Sequence, residues 1–194
     1  AVDSAGNIYV SDYGTHTVYK ISKTDPADGT WTVIPFAGSG TAGFADGTSD
    51  GAQFDHPVGL AFDSSDDSLY VADEFNHRIR RITQDGVVTT VAGSGIAGFG
   101  DNADALNGKL LFPTGVALFG SNLYVADRGN HRIRVLTEAN SLATLAGDGT
   151  DGFLNGATSS AQFSNPTDVA VSASGYILVA DRDNHCIRLV NPIT

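Results

Sequence analysis

The stretch Tyr-Val-Ala-Asp-Glu-Phe-Asn-His-Arg-Ile-Arg, residues 70–80, decides the fold because it recurs along the chain. It returns at residues 124–134 as Tyr-Val-Ala-Asp-Arg-Gly-Asn-His-Arg-Ile-Arg, and in weaker form at 9–19 and 176–188. The Asp residues of the four copies are 61, 54 and 54 residues apart. Repetition at such a period indicates a chain built from equivalent structural units that stack on one another.

Each unit is predicted to contain four short strands. A Pro-led apolar run opens the unit, since Pro is tolerated at the first residue of a strand. The Tyr-Val-Ala run, the Arg-Ile-Arg run and a Val- and Thr-rich run follow, with Gly, Asp and Ser turns between them. In the second unit these runs begin at Pro57, Leu69, Arg78 and Val87. Four-stranded units that need neighbours to bury their faces are typical of β-propeller blades.

The recurring motif closely resembles the NHL repeat, and the resemblance covers essentially the whole chain. Thr15 stands where the motif has Asn, and Cys186 stands where it has Arg. The resemblance implies an all-β fold, a β-propeller of four-stranded antiparallel blades, usually six to a ring. We expect one segment, residues 1–194, with units of approximately 1–56, 57–112, 113–165 and 166–194. The first and last units are incomplete, which predicts a partial arc of about three and a half to four blades. This arc is expected to be part of a six-bladed ring or to be completed by another chain.

Composition excludes several classes of protein. There are 11 Lys and Arg against 22 Asp and Glu, a net charge of −11, which argues against nucleic acid as a partner. A single Cys excludes a disulfide-stapled domain. No run approaches the ~18 apolar residues of a membrane span. The acidic balance, few Lys and one Cys favour an extracellular or cell-surface location.

A polar corner, Asp-x-x-Asn-His, follows the second strand of each unit. An Asp and a His four residues apart can orient an imidazole or ligate a metal. Equivalent corners dispersed around a ring favour a structural role. In that role Asp and Asn cap the turns. Carbonyl oxygens or the corner Asp residues would accept hydrogen bonds from Arg80, Arg134 and Arg188. His56 lies outside the repeat and is predicted to have no partner at ligand spacing. The corner residues are Asp12, His16, Asp73, Asn76, His77, Asp127, Asn130, His131, Asp181, Asn184 and His185.

Three Gly-rich loops, which begin at Gly38, Gly93 and Gly147, match the pattern G-x-G-x-x-G. They recur with the blades and precede no helical pattern, so they are predicted to connect blades rather than to bind a nucleotide. Loops of about 20 residues are often binding loops, and these carry many Asp but only one base, Lys109. Their Phe residues either pack down as staples or offer contact surface. The candidate binding residues are Phe44, Asp46, Asp50, Phe99, Asp101, Asp104, Asp148, Asp151 and Phe153.

The sequence therefore favours a non-enzymatic binding or scaffold module that contacts a protein or a glycan through its acidic loops, with an extracellular assembly as one setting. Its partners would be another protein or further copies of the propeller. No catalytic residue, metal or cofactor is predicted, although the Asp- and Gly-rich loops leave calcium open. The alternative is a propeller enzyme of the lyase or hydrolase type with a metal at the central axis. Against that alternative, the sequence offers no nucleophile, base and oxyanion donor, and no three convergent ligands.

Overall fold

The computed structural model describes residues 1–24 and 29–192, which form four antiparallel sheets. Each sheet contains one repeat and is called a blade here; a seam is the interface between two adjacent blades. The first blade contains β1 (Ile8–Asp12), β2 (Thr17–Lys23) and β3 (Trp31–Ala37). The two-residue β4 (Gly47–Thr48) joins the outer edge of the second blade, which contains β5 (Pro57–Asp63), β6 (Ser68–Asp73), β7 (Arg78–Ile82) and β8 (Val87–Ala92). The third blade contains β9 (Pro113–Phe119), β10 (Asn122–Asp127), β11 (Arg132–Leu136) and β12 (Leu142–Ala146). The fourth blade contains β13 (Pro166–Val171), β14 (Ile177–Asp181) and β15 (Cys186–Val190).

This architecture confirms the predicted all-β propeller and its partial arc. The second and third blades are complete, and their four strands pair in sequence order. In the first blade the innermost strand is reduced to a bridge between Val2 and Ile8, and the fourth blade ends with its third strand, β15. The helical segments among the described residues are single 3-10 turns, at Ser49–Gly51, Ala105–Asn107, Arg128–Asn130 and Arg182–Asn184. None of the described helices has the length and apolar character needed to cross a membrane.

The hydrophobic core is divided among the three seams. One cluster of buried side chains lies at each seam, with contributions from both blades, such as Val18 and Val71 at the first seam. The Gly-rich loop inserts one large side chain, called the loop plug, into each cluster. The three loop plugs are Phe54, Leu110 and Phe163, all at most 1% exposed. A blade therefore buries its apolar faces only against its neighbours, as expected of a repeat architecture.

The first strands of adjacent blades approach so closely that two positions require glycine. These strands, β5, β9 and β13, contact one another along the inner edge of the arc. A Cβ atom at Gly59 would lie 2.3 Å from the carbonyl oxygen of Thr114, and one at Gly115 would lie 2.5 Å from Cα of Asp168. The Thr114 hydroxyl also donates to the carbonyl of Thr167 across the seam, at 2.8 Å. The Gly at the third position of the Pro-led strand is thus explained by the close packing of blades.

Substitution Gly115→Ala is expected to destabilise the fold by about 1–3 kcal/mol, because the new methyl group overlaps the backbone of the next blade. Urea unfolding measures this change. Gly51→Ala is the control, since a Cβ there meets nothing within 4 Å, and it is expected to change stability by less than about 0.5 kcal/mol. Equal stability of the two variants would contradict the close-approach argument.

The two outward faces of the arc expose apolar side chains. On the first blade Val10 is 42% and Val33 is 58% exposed. On the fourth blade Leu178, Ile187 and Leu189 are 39%, 67% and 64% exposed, respectively. In the middle blades both faces are covered by neighbours. Exposed apolar faces of this kind mark surfaces that normally bind another partner.

Residues 1–194 on their own are therefore expected to self-associate, because uncovered apolar faces are driven together. Sedimentation velocity over a range of concentrations measures this association. The double substitution Val33→Lys with Ile187→Lys places a charge on each face and is expected to shift the population toward monomer. A compact monomer of the unsubstituted segment at every concentration would contradict the expectation.

Candidate functional site

A buried ion pair lies behind each corner of the last three blades. In the second blade Asp73 and Arg80 are both fully buried, and Nη1 of Arg80 donates to Oδ2 of Asp73 at 2.7 Å. The other oxygen of Asp73 accepts the N–H of Asp55, at 2.8 Å. Asn76 donates both to Asp73, at 2.9 Å, and to the carbonyl of Gly43, at 2.7 Å. Burial raises the pKa of the Asp73 carboxyl, while Arg80 and the N–H donors oppose that shift.

Arg80 also donates hydrogen bonds to the Gly-rich loop that connects the preceding blade to this one. It donates to the carbonyls of Gln53 and Ala45, at 3.0 and 2.7 Å, and to the Asp46 carboxylate, at 2.7 Å. We call the Asp, Asn and Arg set with its loop contacts the brace. The third and fourth blades repeat it with Asp127, Asn130 and Arg134, and with Asp181, Asn184 and Arg188. The predicted role of the three arginines is confirmed.

The prediction that the corner Asp residues cap their own turns is wrong for these three blades. Their second carboxylate oxygens accept the N–H of Asp55, Leu111 or Ser164, which lie just before the first strand of the same blade. Only Asp12, in the first blade, bonds the N–H groups of its own turn, those of Gly14 and Thr15. The correction follows from burial, because a buried carboxylate takes the donors that the fold places around it.

The corner His residues bind across the seams. His77 and His131 have left-handed backbone conformations, with φ of 54° and 52°. Their Nδ1 atoms accept the N–H of Phe112 and of Asn165 in the next blade, both at 3.2 Å. Burial lowers the pKa of His77, and the nearby Arg78 charge adds to this, which favours the neutral ring that can accept a hydrogen bond. His185, in the last blade, is exposed.

The loop Phe residues serve both roles that the sequence left open. Phe44 lies over Arg78 and Arg80, with guanidinium carbons 3.7 and 4.9 Å from the ring centroid. Phe99 lies over the equivalent arginines of the third blade. Both rings remain 45% exposed, so they staple the loop and still present a surface. Phe153 is 58% exposed, and here Cys186 occupies the position of the first arginine.

Most acidic side chains of the loops have local partners. Asp46 and Asp101 pair with the brace arginines and also accept hydroxyl bonds from Thr90 and Thr144. Asp50 is exposed in the turn Ser49–Gly51. The carboxylates of Asp46 and Asp101 are engaged in these contacts and give no support to calcium binding, which the sequence left open without predicting it. Further contacts join Asp104 to the Leu106 N–H, Asp148 to the Thr150 N–H, and Asp151 to the Ser164 hydroxyl.

The side of the arc on which the Asp-x-x-Asn-His corners lie is called the corner face. Four side chains that do not repeat form a continuous row on it. Tyr13, His56, Phe75 and Phe112 are called the aromatic row. Successive ring centroids are 4.3, 4.6 and 5.3 Å apart, so the row crosses the first seam and reaches the second. Tyr13 is 47% and Phe75 is 42% exposed. The row could not be found from what the corners share, because Tyr13 and Phe75 occupy variable positions inside the corner motif and His56 and Phe112 immediately precede the Pro of a first strand.

His56 has close partners, so the prediction that it has none at ligand spacing is wrong. Its Nδ1 lies 2.6 Å from Oδ1 of Asp55, and its backbone N–H donates to Nδ1 of His16 at 3.1 Å. Across residues 1–24 and 29–192, His16, Asp55 and His56 are the one group of three candidate metal ligands within 4.8 Å of one another. His16 is 40 residues away in sequence, and only the packing of two blades brings it to His56.

A buried ion pair between Glu74 and Arg128 lies next to the row, across the second seam. Nη2 of Arg128 donates to Oε1 of Glu74, whose side chain is 7% exposed. Burial raises the pKa of Glu74, and the Arg128 charge opposes the shift. The Arg128 guanidinium also lies 5.4 Å from the Phe112 ring centroid. The pair therefore fixes Arg128 against the end of the aromatic row.

Repeated blades, seam braces and Gly-rich loops define a repeat-built β-propeller segment. The NHL repeat profile matches residues 54–82, 110–136 and 163–188, which run from the buried loop plug through the third strand of a blade. The chain therefore contains three NHL repeats, and its blades have the β-propeller arrangement.

Known proteins similar to this chain are much longer. The chain is 30% identical over 196 residues to the protein SUPPRESSOR OF QUENCHING 1, chloroplastic, of Arabidopsis thaliana. The aligned region covers 95% of this chain and 18% of that protein. The chain is 36% identical over 97 residues to NHL repeat-containing protein 2 of Bos taurus, which covers 48% of this chain and 13% of that protein. The chain thus spans less than a fifth of the length of these relatives.

Solved structures show the same fold over almost all of the chain. An auxiliary nutrient binding protein from Bacteroides thetaiotaomicron superposes with a TM-score of 0.74 at 20% identity, covering 97% of this chain and 46% of that one. A protein of unknown function from the same organism superposes with a TM-score of 0.78 at 21% identity, covering 97% and 45%. At these identities the likeness concerns the fold alone.

Substitution Arg134→Met is expected to destabilise the chain by about 3–5 kcal/mol, because it leaves the buried Asp127 carboxylate without its cation. Urea unfolding measures the loss. Arg182→Met removes the exposed Arg182–Asp183 pair and is the control, with an expected change within about 1 kcal/mol. Equal effects of the two substitutions would contradict a structural role for the brace.

Proposed function

We propose that this chain is a non-enzymatic binding module whose corner face contacts a protein partner through the aromatic row. The observation that carries the proposal is the row itself, in which Tyr13 and Phe75 are exposed, His56 and Phe112 are half-buried, and the residues differ from one blade to the next. The brace residues repeat and are buried, so they are explained by the fold. Exposed aromatic side chains clustered on one face are typical of contact surfaces, where Tyr and Phe supply much of the binding energy.

The charge around the row supports a cationic partner. Exposed carboxylates of Asp148 and Asp151 lie on the corner side of the third seam, beside Arg132 and His131, whereas Asp50 and Asp104 lie next to turns at the other end of the strands. Lys109 is the single basic residue of the three loops. A Lys or Arg side chain of the partner would be attracted by the Asp148 and Asp151 carboxylates and would stack on the exposed rings of the row. The same charge disfavours nucleic acid as a partner.

The enzyme alternative receives less support from the geometry. A lyase or hydrolase would need carboxylates or imidazoles free to act on a substrate. Asp73 and Asp127 are instead held by buried arginines, and His77 and His131 accept backbone N–H groups. Two solved structures of this fold are named auxiliary nutrient binding proteins, which makes binding a known use of the architecture. The extracellular or cell-surface location stays a prediction.

Site-specific photo-cross-linking tests the proposal. A photoreactive phenylalanine analogue replaces Phe75 in the row or, as the matched control, Phe119 at the opposite end of the strands; both side chains are 42% exposed. In an extract of the source organism, the Phe75 position is expected to capture a protein through a Lys- or Arg-rich segment. Capture should weaken as NaCl rises from about 0.05 M to about 0.5 M, because salt screens exposed charges.

Three outcomes would contradict the proposal: equal capture from both positions, capture of an acidic segment, or cross-links only to a second copy of this chain.

A further inference from the structure

We propose that His16, Asp55 and His56 form a binding site for a zinc-class divalent cation at the first seam. Two imidazoles and one carboxylate are a ligand set that zinc accepts, with water in the fourth position of an open site. The side chains are 14%, 28% and 30% exposed, so they are largely ordered by the fold and still accessible to an ion and a water molecule. The inference does not rest on the proposed partner binding.

The ligand atoms lie close to the spacing that one ion requires, and two hydrogen bonds that involve them would be replaced by bonds to the metal. Oδ1 of Asp55 lies 2.6 Å from Nδ1 of His56 and 3.8 Å from Nδ1 of His16. Two ligand atoms on one tetrahedral zinc ion, each at ~2.0–2.1 Å from the metal, are about 3.3 Å apart. The observed separations lie on either side of that value. Both His residues are held in left-handed backbone conformations, with φ of 53° and 56°, so their rings meet without a flexible loop between them.

Comparison with the other seams separates this set from the structural role of the repeated His. At the second seam the positions of Asp55 and His56 are occupied by Leu111 and Phe112, and at the third seam by Ser164 and Asn165. All three seams keep the corner His and its bond from the next backbone N–H. The fold therefore needs neither the Asp55 nor the His56 side chain, and within the described part of the chain only the first seam gathers three ligands.

Metal binding would replace two hydrogen bonds of the first seam. The ion takes the position of the His56 N–H at Nδ1 of His16, and it separates Nδ1 of His56 from the Asp55 carboxylate. Loss of these bonds reduces the affinity below that of a fully preorganised site. The aromatic rings of Tyr13 and Phe75, 4.3 and 4.6 Å from the His56 ring, limit the directions in which that ring can move.

Titration of the whole chain with Zn²⁺ alone, followed by calorimetry, tests the proposal. All proteins carry His185→Ala, because this exposed imidazole would add adventitious binding. One Zn²⁺ per chain is expected, and Co²⁺ in its place should give the visible absorption of a four-coordinate ion. The loss variant Asp55→Leu with His56→Phe installs the residues of the second seam, and affinity is expected to fall at least about 100-fold. His56→Asn, which installs the third-seam residue, is the second loss variant should the first not fold.

The reciprocal variant Leu111→Asp with Phe112→His builds the same set beside His77, and it is expected to raise the stoichiometry from one Zn²⁺ to two. Circular dichroism and the urea midpoint verify that each variant folds. No stoichiometric binding by the starting protein, or unchanged affinity in a folded loss variant, would overturn the site. Partner capture at Phe75 is a separate readout, so either proposal can fail while the other stands.

Discussion

The structure depends on a buried Asp–Arg pair placed once behind each of the last three corners. Two opposite charges removed from water are tolerated only with close contact and additional hydrogen bonds. Here those bonds come from the Gly-rich loop, whose carbonyls accept from the arginine, and from the backbone N–H that enters the first strand. The charge pair therefore joins the loop, the corner and the inner strand of a blade. The loop plug that fills the seam is positioned by the same contacts, so polar and apolar packing support each other.

Repetition and exception separate structure from function in this chain. Brace residues, corner His residues and loop plugs occur at each seam and are needed to hold blades together. The residues that break the pattern lie on the corner face, where Tyr13, Phe75 and the Asp55–His56 pair occur once each. A scaffold that repeats its braces can change the residues between them at little cost in stability, which allows one face of the arc to acquire a single, asymmetric surface.

The sequence predicted the strands well, because Pro, Thr, Val and turn residues recur with the blade period. The arginine contacts were also predicted, since a charge on a central strand must find partners. The sequence could not predict that Asp73 accepts from Asp55 rather than from its own turn, because this depends on how far the corner is buried. It also could not bring His16 to His56, because that contact exists only after two blades pack. The need for glycine at positions 59 and 115 could not be predicted either, because it depends on how closely the first strands of adjacent blades approach.

The central claim is that the brace holds the loop of one blade against the next. Amide hydrogen exchange in the variant Asp127→Asn tests this claim most directly. The variant keeps the shape of the side chain and removes its charge. Amides of residues 98–111 are expected to exchange at least about 10-fold faster, as in a local opening, while β6 in the second blade keeps its protection. Unchanged protection across residues 98–111, or a uniform loss over the whole chain, would contradict the account.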